Sequence, residues 1–176
     1  SGDADFSWAE FVRRNNDELV ATYGNLVHRV LTLIARYFGG LVPEPRSLTN
    51  QDTALMHRAT ETLSAVSDSL AKCRFREAVT TAMKLAAETN RYLDRKAPWH
   101  EVKEDTSLAA NTLWTALNSI STLKTVLAPF LPFSSKTLHT MAGFPGNIED
   151  IGWQIQAPHP GQVISNPAPL FSKLDY

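Results

Sequence analysis

Residues 17–40 read DELVATYGNLVHRVLTLIARYFGG. From Leu19 onward the apolar residues Leu19, Tyr23, Leu26, Val27, Val30, Ile34, Tyr37 and Phe38 return every three or four positions. That is the period of an amphipathic α-helix, not the two-residue alternation of a strand. Gly39-Gly40 supplies the stop. Upstream, Ser7-Trp-Ala-Glu10 reads as a capping box, with Ser7 as N-cap and Glu10 reaching back. The polar run Asn15-Asn16-Asp17 fits a solvated turn of one long helix or a kink, and the continuous helix is the expectation. Gly24 stands inside this helix, at a cost of roughly 1 kcal/mol against alanine. Such a cost often marks a place where something approaches the backbone closely.

The same period continues down the chain. A second helix is predicted over about 52–72, carrying Leu55, Ala59, Leu63, Val66 and Leu70 on one face. A third is predicted over 74–95, through Phe75, Val79, Met83, Leu85, Ala86 and Tyr92, and Ala97-Pro98 breaks it, because a residue before proline avoids helical backbone. A fourth starts at Asp105 or Thr106 and carries Leu108, Leu113, Leu117, Ile120, Leu123 and Leu127; Pro129 and Pro132 end or kink it. Ser134-Ser135 opens a short fifth helix to about Ala142. From Gly143 prolines and glycines crowd in and the period is lost, yet Trp153, Ile155, Val163, Ile164, Leu170 and Phe171 are too apolar for a free tail. The expected fold is therefore all-α: a single-domain helical bundle of four long helices and a short fifth over about 7–142, with an extended Pro/Gly-rich strap over 143–176 packing back on it.

Composition narrows the functions. The chain has 176 residues, 43% hydrophobic, with a formal net charge of −1. A core of that size suits a folded domain, and the near-zero charge argues against indiscriminate capture of nucleic-acid phosphates. The one cysteine, Cys73, excludes an internal disulfide and a cysteine zinc cluster, and the five scattered histidines form no metal-binding pair. No metal site, no catalytic residue and no cofactor are expected in this stretch. No apolar run is long enough to span a membrane, and the single reduced cysteine favours a cytoplasmic setting. Ser1-Gly2 resembles the scar of a cleaved tag, so the chain is expected to be an excised domain. Acidic pairs such as Glu104-Asp105 and Glu149-Asp150 suit helix starts and turns better than acid–base work. Cys73, between Lys72 and Arg74, lacks a histidine partner and reads as a helix-junction residue.

Two polar constellations stand out. Asn25 and Arg29 are four residues apart, on one helical face, while Leu26 and Val27 turn inward. An amide beside a guanidinium can read a nucleobase edge or hold a phosphate, or it can be an ordinary solvated stripe. The second is Asn90-Arg-Tyr-Leu-Asp94-Arg-Lys-Ala-Pro98-Trp99. Asn90 and Asp94 form one i, i+4 pair and Arg91 and Arg95 another, the latter suited to phosphates. Trp99 follows the helix break. Taken alone, it is either a core or hinge residue or a platform on which an unpaired base stacks.

Four stretches together resemble a known family. NNDELVATYGNLVHRVL (15–31), NRYLDRKAPW (90–99), LAPFLPFSSKTLHTMAG (127–143) and PGQVISNPAPLFSKLD (160–175) look like the anticodon-binding domain of methionyl-tRNA synthetases, in order and over nearly the whole chain. The resemblance implies an enzyme, a ligase that activates methionine with ATP and charges methionine tRNA. ATP and methionine would bind a catalytic domain carrying the HIGH and KMSKS signatures, which this chain does not contain. Asn25 and Arg29 match the pair that contacts the first anticodon base, a cytosine. Trp99 matches the tryptophan that stacks in the unwound loop, Asn90, Asp94 and Pro98 match its polar and framing positions, and Arg91 matches with a less defined role. Position 28 is His where Asn or Ser is common in similar sequences. The implied partners are the anticodon loop of methionine tRNA and the enzyme's own catalytic domain, with neither DNA nor membrane. Two rivals stand beside this reading: the anticodon-binding domain of another class I synthetase, and a helical protein–protein module without RNA affinity.

Overall fold

The computed structural model describes residues 6–175, and Ser1-Gly2 lies outside the described residues. The fold is an all-α bundle, as the periodicity predicts. Its elements are α1 (Trp8–Arg14), a π-helical stretch (Asn15–Gly24), α2 (Asn25–Phe38), α3 (Asn50–Ala71), α4 (Phe75–Lys96), α5 (Pro98–Glu104), α6 (Thr106–Leu127), α7 (Pro132–Met141) and α8 (Ile148–Ile151). Among the described residues there is no strand, only one antiparallel bridge between Leu41 and Val163.

The first rod runs unbroken from Trp8 to Phe38, but its middle is π-wound. Thr22 Oγ1 donates to the carbonyl of Asp17, five residues back (2.9 Å). Long π segments are rare and cost backbone geometry, so something must support this one. The polar run expected to be solvated turns out to do so. The Asn15 amide donates to the carbonyl of Ser172, and Asn16 exchanges two hydrogen bonds with the backbone of Leu174. Gly24 is equally structural. A β-carbon there would press on the Phe171 ring of the strap at 3.1 Å and on the Leu19 carbonyl oxygen at 3.0 Å. The close approach signalled by Gly24 is thus the chain's own C-terminal segment. Ser7 caps α1 as predicted, accepting from the Glu10 N–H (3.4 Å), but the Glu10 carboxylate turns instead to Arg13 and Arg14 at 2.7 and 2.6 Å. Two guanidiniums satisfy it better than one N–H, and they hold its pKa down at about 2.

The proline readings need two corrections. Pro98 does not leave a coil between long helices; it opens α5 at its first turn, where a missing N–H costs nothing. Ala97 is the hinge, with left-handed backbone (φ 48°) that closes α4 and starts α5 in a single residue. Pro132 likewise opens α7, two residues before the predicted start.

Helix α6 is the centre of the bundle. Capped by Asp105, which accepts from the Ser107 N–H (2.8 Å), it is buried from Ala109 to Leu127 on every side except at Trp114. The strap explains this. It runs antiparallel to α6, and its carbonyls accept from α6 side chains: Gln154 from Thr125 (3.3 Å), Gln156 from Ser121 (2.6 Å) and Pro158 from the Trp114 indole (3.0 Å). Further on, Gly161 and Ile164 pair with the backbone of Val42 and Gly40. The strap therefore packs back on the bundle, with its apolar residues Ile155, Ile164, Leu170 and Phe171 against the core.

Candidate nucleic-acid interface

The site forms where α2 starts, α4 ends and α5 begins. Arg29 lies one helical turn beyond Asn25 on α2 and crosses to α4. Its guanidinium donates to Asp94 Oδ1 at 2.8 Å and, more weakly, to Asn90 Oδ1 at 3.5 Å. It also lies over the Trp99 ring, 5.8 Å from the centroid, which is cation–π distance. Two stretches more than sixty residues apart in sequence, and separated in space by nothing, thus meet through one arginine.

Asn90 holds this arrangement in place. Its amide nitrogen donates to the carbonyl of Thr22 (3.0 Å) and to that of Ala86 (3.3 Å). The Thr22 carbonyl also accepts from the backbone N–H of Asn25. Asn90 therefore pins the junction between π and α winding, which sets where Asn25 and Arg29 point. Asn25 itself is exposed. The Arg29–Asp94 pair is a surface pair, with Asp94 62% exposed and Arg29 29%. Such pairs contribute about 0–1 kcal/mol, so an incoming base edge can take over guanidinium donors at little cost.

Trp99 is half-buried at the second position of α5 and tilts against the exposed His100 ring (6.2 Å). Pro98, the residue before it, is buried. A network that the sequence reading missed fixes α5. Asp52 is fully buried and accepts from the Tyr92 hydroxyl (2.7 Å) and the Thr49 N–H (2.7 Å). Lys96 bridges Asp52 (3.3 Å) to Glu101 of α5 (3.4 Å). Burial alone pushes the Asp52 carboxyl up, but the hydrogen bonds from Tyr92 and Thr49 and the charge of Lys96 bring it below its ordinary value. Thr49-x-x-Asp52 is a legible capping box; that its carboxylate also reaches α4 is not.

Arg91 does not join this cluster. It turns to the other flank of α4, into a groove shared with Arg58 and Arg95. Tyr23 is core, with its buried hydroxyl raised well above the usual phenol range by burial. Among the described residues no group of acidic, histidine or cysteine side chains could hold a metal ion.

Known proteins resemble this chain in fold and in sequence. The fold superimposes on a crystal structure of apo Mycobacterium tuberculosis methionyl-tRNA synthetase with a TM-score of 0.89, covering 99% of this chain and 36% of that one; at 22% identity the match speaks for the fold alone. The anticodon binding domain of methionyl tRNA ligase, as a family, matches residues 42–176, and the class I (M) tRNA synthetase family matches residues 1–31. The chain is 50% identical over 175 residues to a methionine–tRNA ligase of Dehalococcoides mccartyi, and 44% identical over 199 residues to that of Chloroflexus aurantiacus. It covers 99% and 98% of itself in these matches but only 32% and 33% of the relatives, about a third of their length. The chain belongs to the family of anticodon-binding domains of methionyl-tRNA ligases. Asn25 and Arg29 fall within the first matched segment and Asn90 to Trp99 within the second, so the cluster joins the two.

Proposed function

We propose that this chain is the anticodon-reading part of a cytoplasmic methionine–tRNA ligase and that it recognises the CAU anticodon of methionine tRNA. The observation that carries the reading is the Arg29 guanidinium held by Asp94 over the half-buried Trp99 ring, one turn from the exposed Asn25 amide. A cytosine presents an amino donor beside ring acceptors on its pairing edge. The Asn25 amide oxygen accepts from the former and Arg29 donates to the latter, a pairing worth about 1–3 kcal/mol of discrimination. Opening the loop costs stacking, and a base laid on Trp99 returns about 1–3 kcal/mol. Asn90 holds Arg29 and the start of α2, and Pro98 sets the start of α5 that carries Trp99. Attachment of methionine, with ATP, belongs to the rest of the enzyme; this part takes no cofactor and orients the tRNA.

The test uses the full-length ligase with tRNA carrying either CAU or a changed first anticodon base. Trp99→Ala lowers kcat/KM for charging by about 5- to 150-fold, while adenylate formation and helical circular dichroism stay at parent values. If Trp99→Ala instead melts the domain, and Asn25→Ala and Arg29→Ala leave charging of the CAU tRNA unchanged, the reading fails and a plain packing role for Trp99 stands.

A further inference from the structure

Helix α4 carries two polar rows that diverge. Asn90 and Asp94 turn to Arg29. Arg91 and Arg95, about 100° further round the helix, turn to a groove of about 510 Å³ between α3 and α4, lined also by Gln51, Arg58 and Glu88. The acidic side chain in this groove is already engaged: Glu88 pairs with Arg58 Nε at 3.1 Å, and Arg58 also meets Glu61 at 2.9 Å. Asp52 behind the groove is neutralised by Lys96. Among the described residues, Arg91 and Arg95 have no carboxylate partner, and both are exposed. Two unpaired guanidiniums one turn apart repel each other. The helix dipole favours Arg95, which lies in the last turn of α4, but that effect fades within a turn and leaves Arg91 unexplained. In a chain of net charge −1, the groove gathers three arginines against a single, already paired glutamate, and Arg95 stands four residues before Trp99.

We propose that Arg91 and Arg95 form a phosphate track: they hold consecutive phosphodiesters of the RNA strand that leaves the Trp99 platform and enters the α3–α4 groove. The inference rests on the anticodon-reading function above. It divides α4 into two faces. The Asn90/Asp94 face organises base readout, and the Arg91/Arg95 face supplies sequence-independent affinity and register. The two arginines are about 6 Å apart along the helix axis, and each guanidinium can take a phosphate oxygen pair through parallel N–H donors.

The experiment measures tRNA binding by the full-length ligase across a salt series, with CAU and with a changed first anticodon base. For the double variant Arg91→Gln/Arg95→Gln, the slope of log affinity against log salt becomes shallower by about 1.4, since each single-strand phosphate contact contributes about 0.7. The affinity ratio between the two anticodons stays at the parent value. Arg91→Lys/Arg95→Lys keeps the parent slope, which separates charge from a structural effect of substitution. Arg74→Gln, at the opposite end of α4, also leaves the slope unchanged. The proposal is overturned if the glutamine double variant keeps the parent slope, if Arg74→Gln flattens it equally, or if the double variant alters the anticodon ratio. A parent enzyme without anticodon preference would sink the reading function instead, and the slopes would still decide the track.

Discussion

A β-carbon at Gly24 would lie 3.0 Å from the Leu19 carbonyl oxygen and 3.1 Å from the Phe171 ring. Alanine there would gain about 1 kcal/mol of helix propensity, but overpacking against backbone and ring costs about 1–3 kcal/mol. Gly24→Ala should therefore lower the unfolding free energy from chemical denaturation by about 1 kcal/mol net, and Phe171→Ala in the same chain should recover part of that loss. At Arg29 the chemistry is that of a planar fork. Lysine carries the same charge but cannot donate to Asp94, Asn90 and a base edge together. Arg29→Lys in the full-length ligase should keep the fold and lose about 1–3 kcal/mol of preference for cytosine at the first anticodon position, read as the ratio of charging efficiencies. Both residues were legible in the sequence, one as a costly glycine and one as half of an i, i+4 pair. What made Gly24 necessary was not, because Phe171 lies at the other end of the chain.

Between elements, the buried Asp52 joins the start of α3, the end of α4 and α5. Removing one partner of a buried charge network typically costs about 3–5 kcal/mol. Asp52→Ala should destabilise the bundle toward the low end of that range, because Lys96 keeps Glu101. The Asp52 carboxyl titrates below its ordinary value, so its contribution is complete above the unfolded pKa near 3.9 and fades as pH falls through the lower folded value. A denaturation series from pH 6 downward should show that loss in the parent and a flatter profile in Asp52→Asn. Here the sequence reading placed only a helix start at about residue 52, without the Thr49 cap. It read Pro98 as an interruption, since the residue before a proline avoids helix; the left-handed Ala97 turns that interruption into the start of α5 and brings Trp99 beside Arg29.

Across the whole molecule, the strap converts a two-sided helix into a central one. Lys124 marks the consequence. It is fully buried, donates to Gln156 of the strap (2.9 Å), meets His139 Nδ1 (3.1 Å) and lies 3.8 Å from the Phe144 ring centroid. His139 Nε2 donates to the Gly146 carbonyl (3.0 Å), so Nδ1 is the acceptor. Burial brings the Lys124 ammonium down from 10.5 to about 8. Between those values the unfolded chain binds more protons than the folded one, so stability rises with pH. Chemical denaturation should show a rise from pH 8 to about 10 that Lys124→Met abolishes; above that range the raised hydroxyls of Tyr23 and Tyr92 oppose it. On the acid side, burial and the neighbouring Lys124 lower His139, so stability falls as pH drops through the ordinary histidine range.

The sequence by itself determined the helices, their order and the polar pairs on their faces, because a 3.6-residue period and helix-end signals are local properties of the chain. It also determined that Asn25 and Arg29 share a face, as do Asn90 and Asp94. Only the tertiary structure decided that Arg29 bridges the two pairs and lies over Trp99, that Arg91 belongs to a different groove, and that Asn15, Asn16 and Gly24 serve the C-terminal strap. Those contacts join residues about 30 to 160 positions apart, and the partner of a polar side chain at such range is set by how the helices pack, which no local pattern encodes.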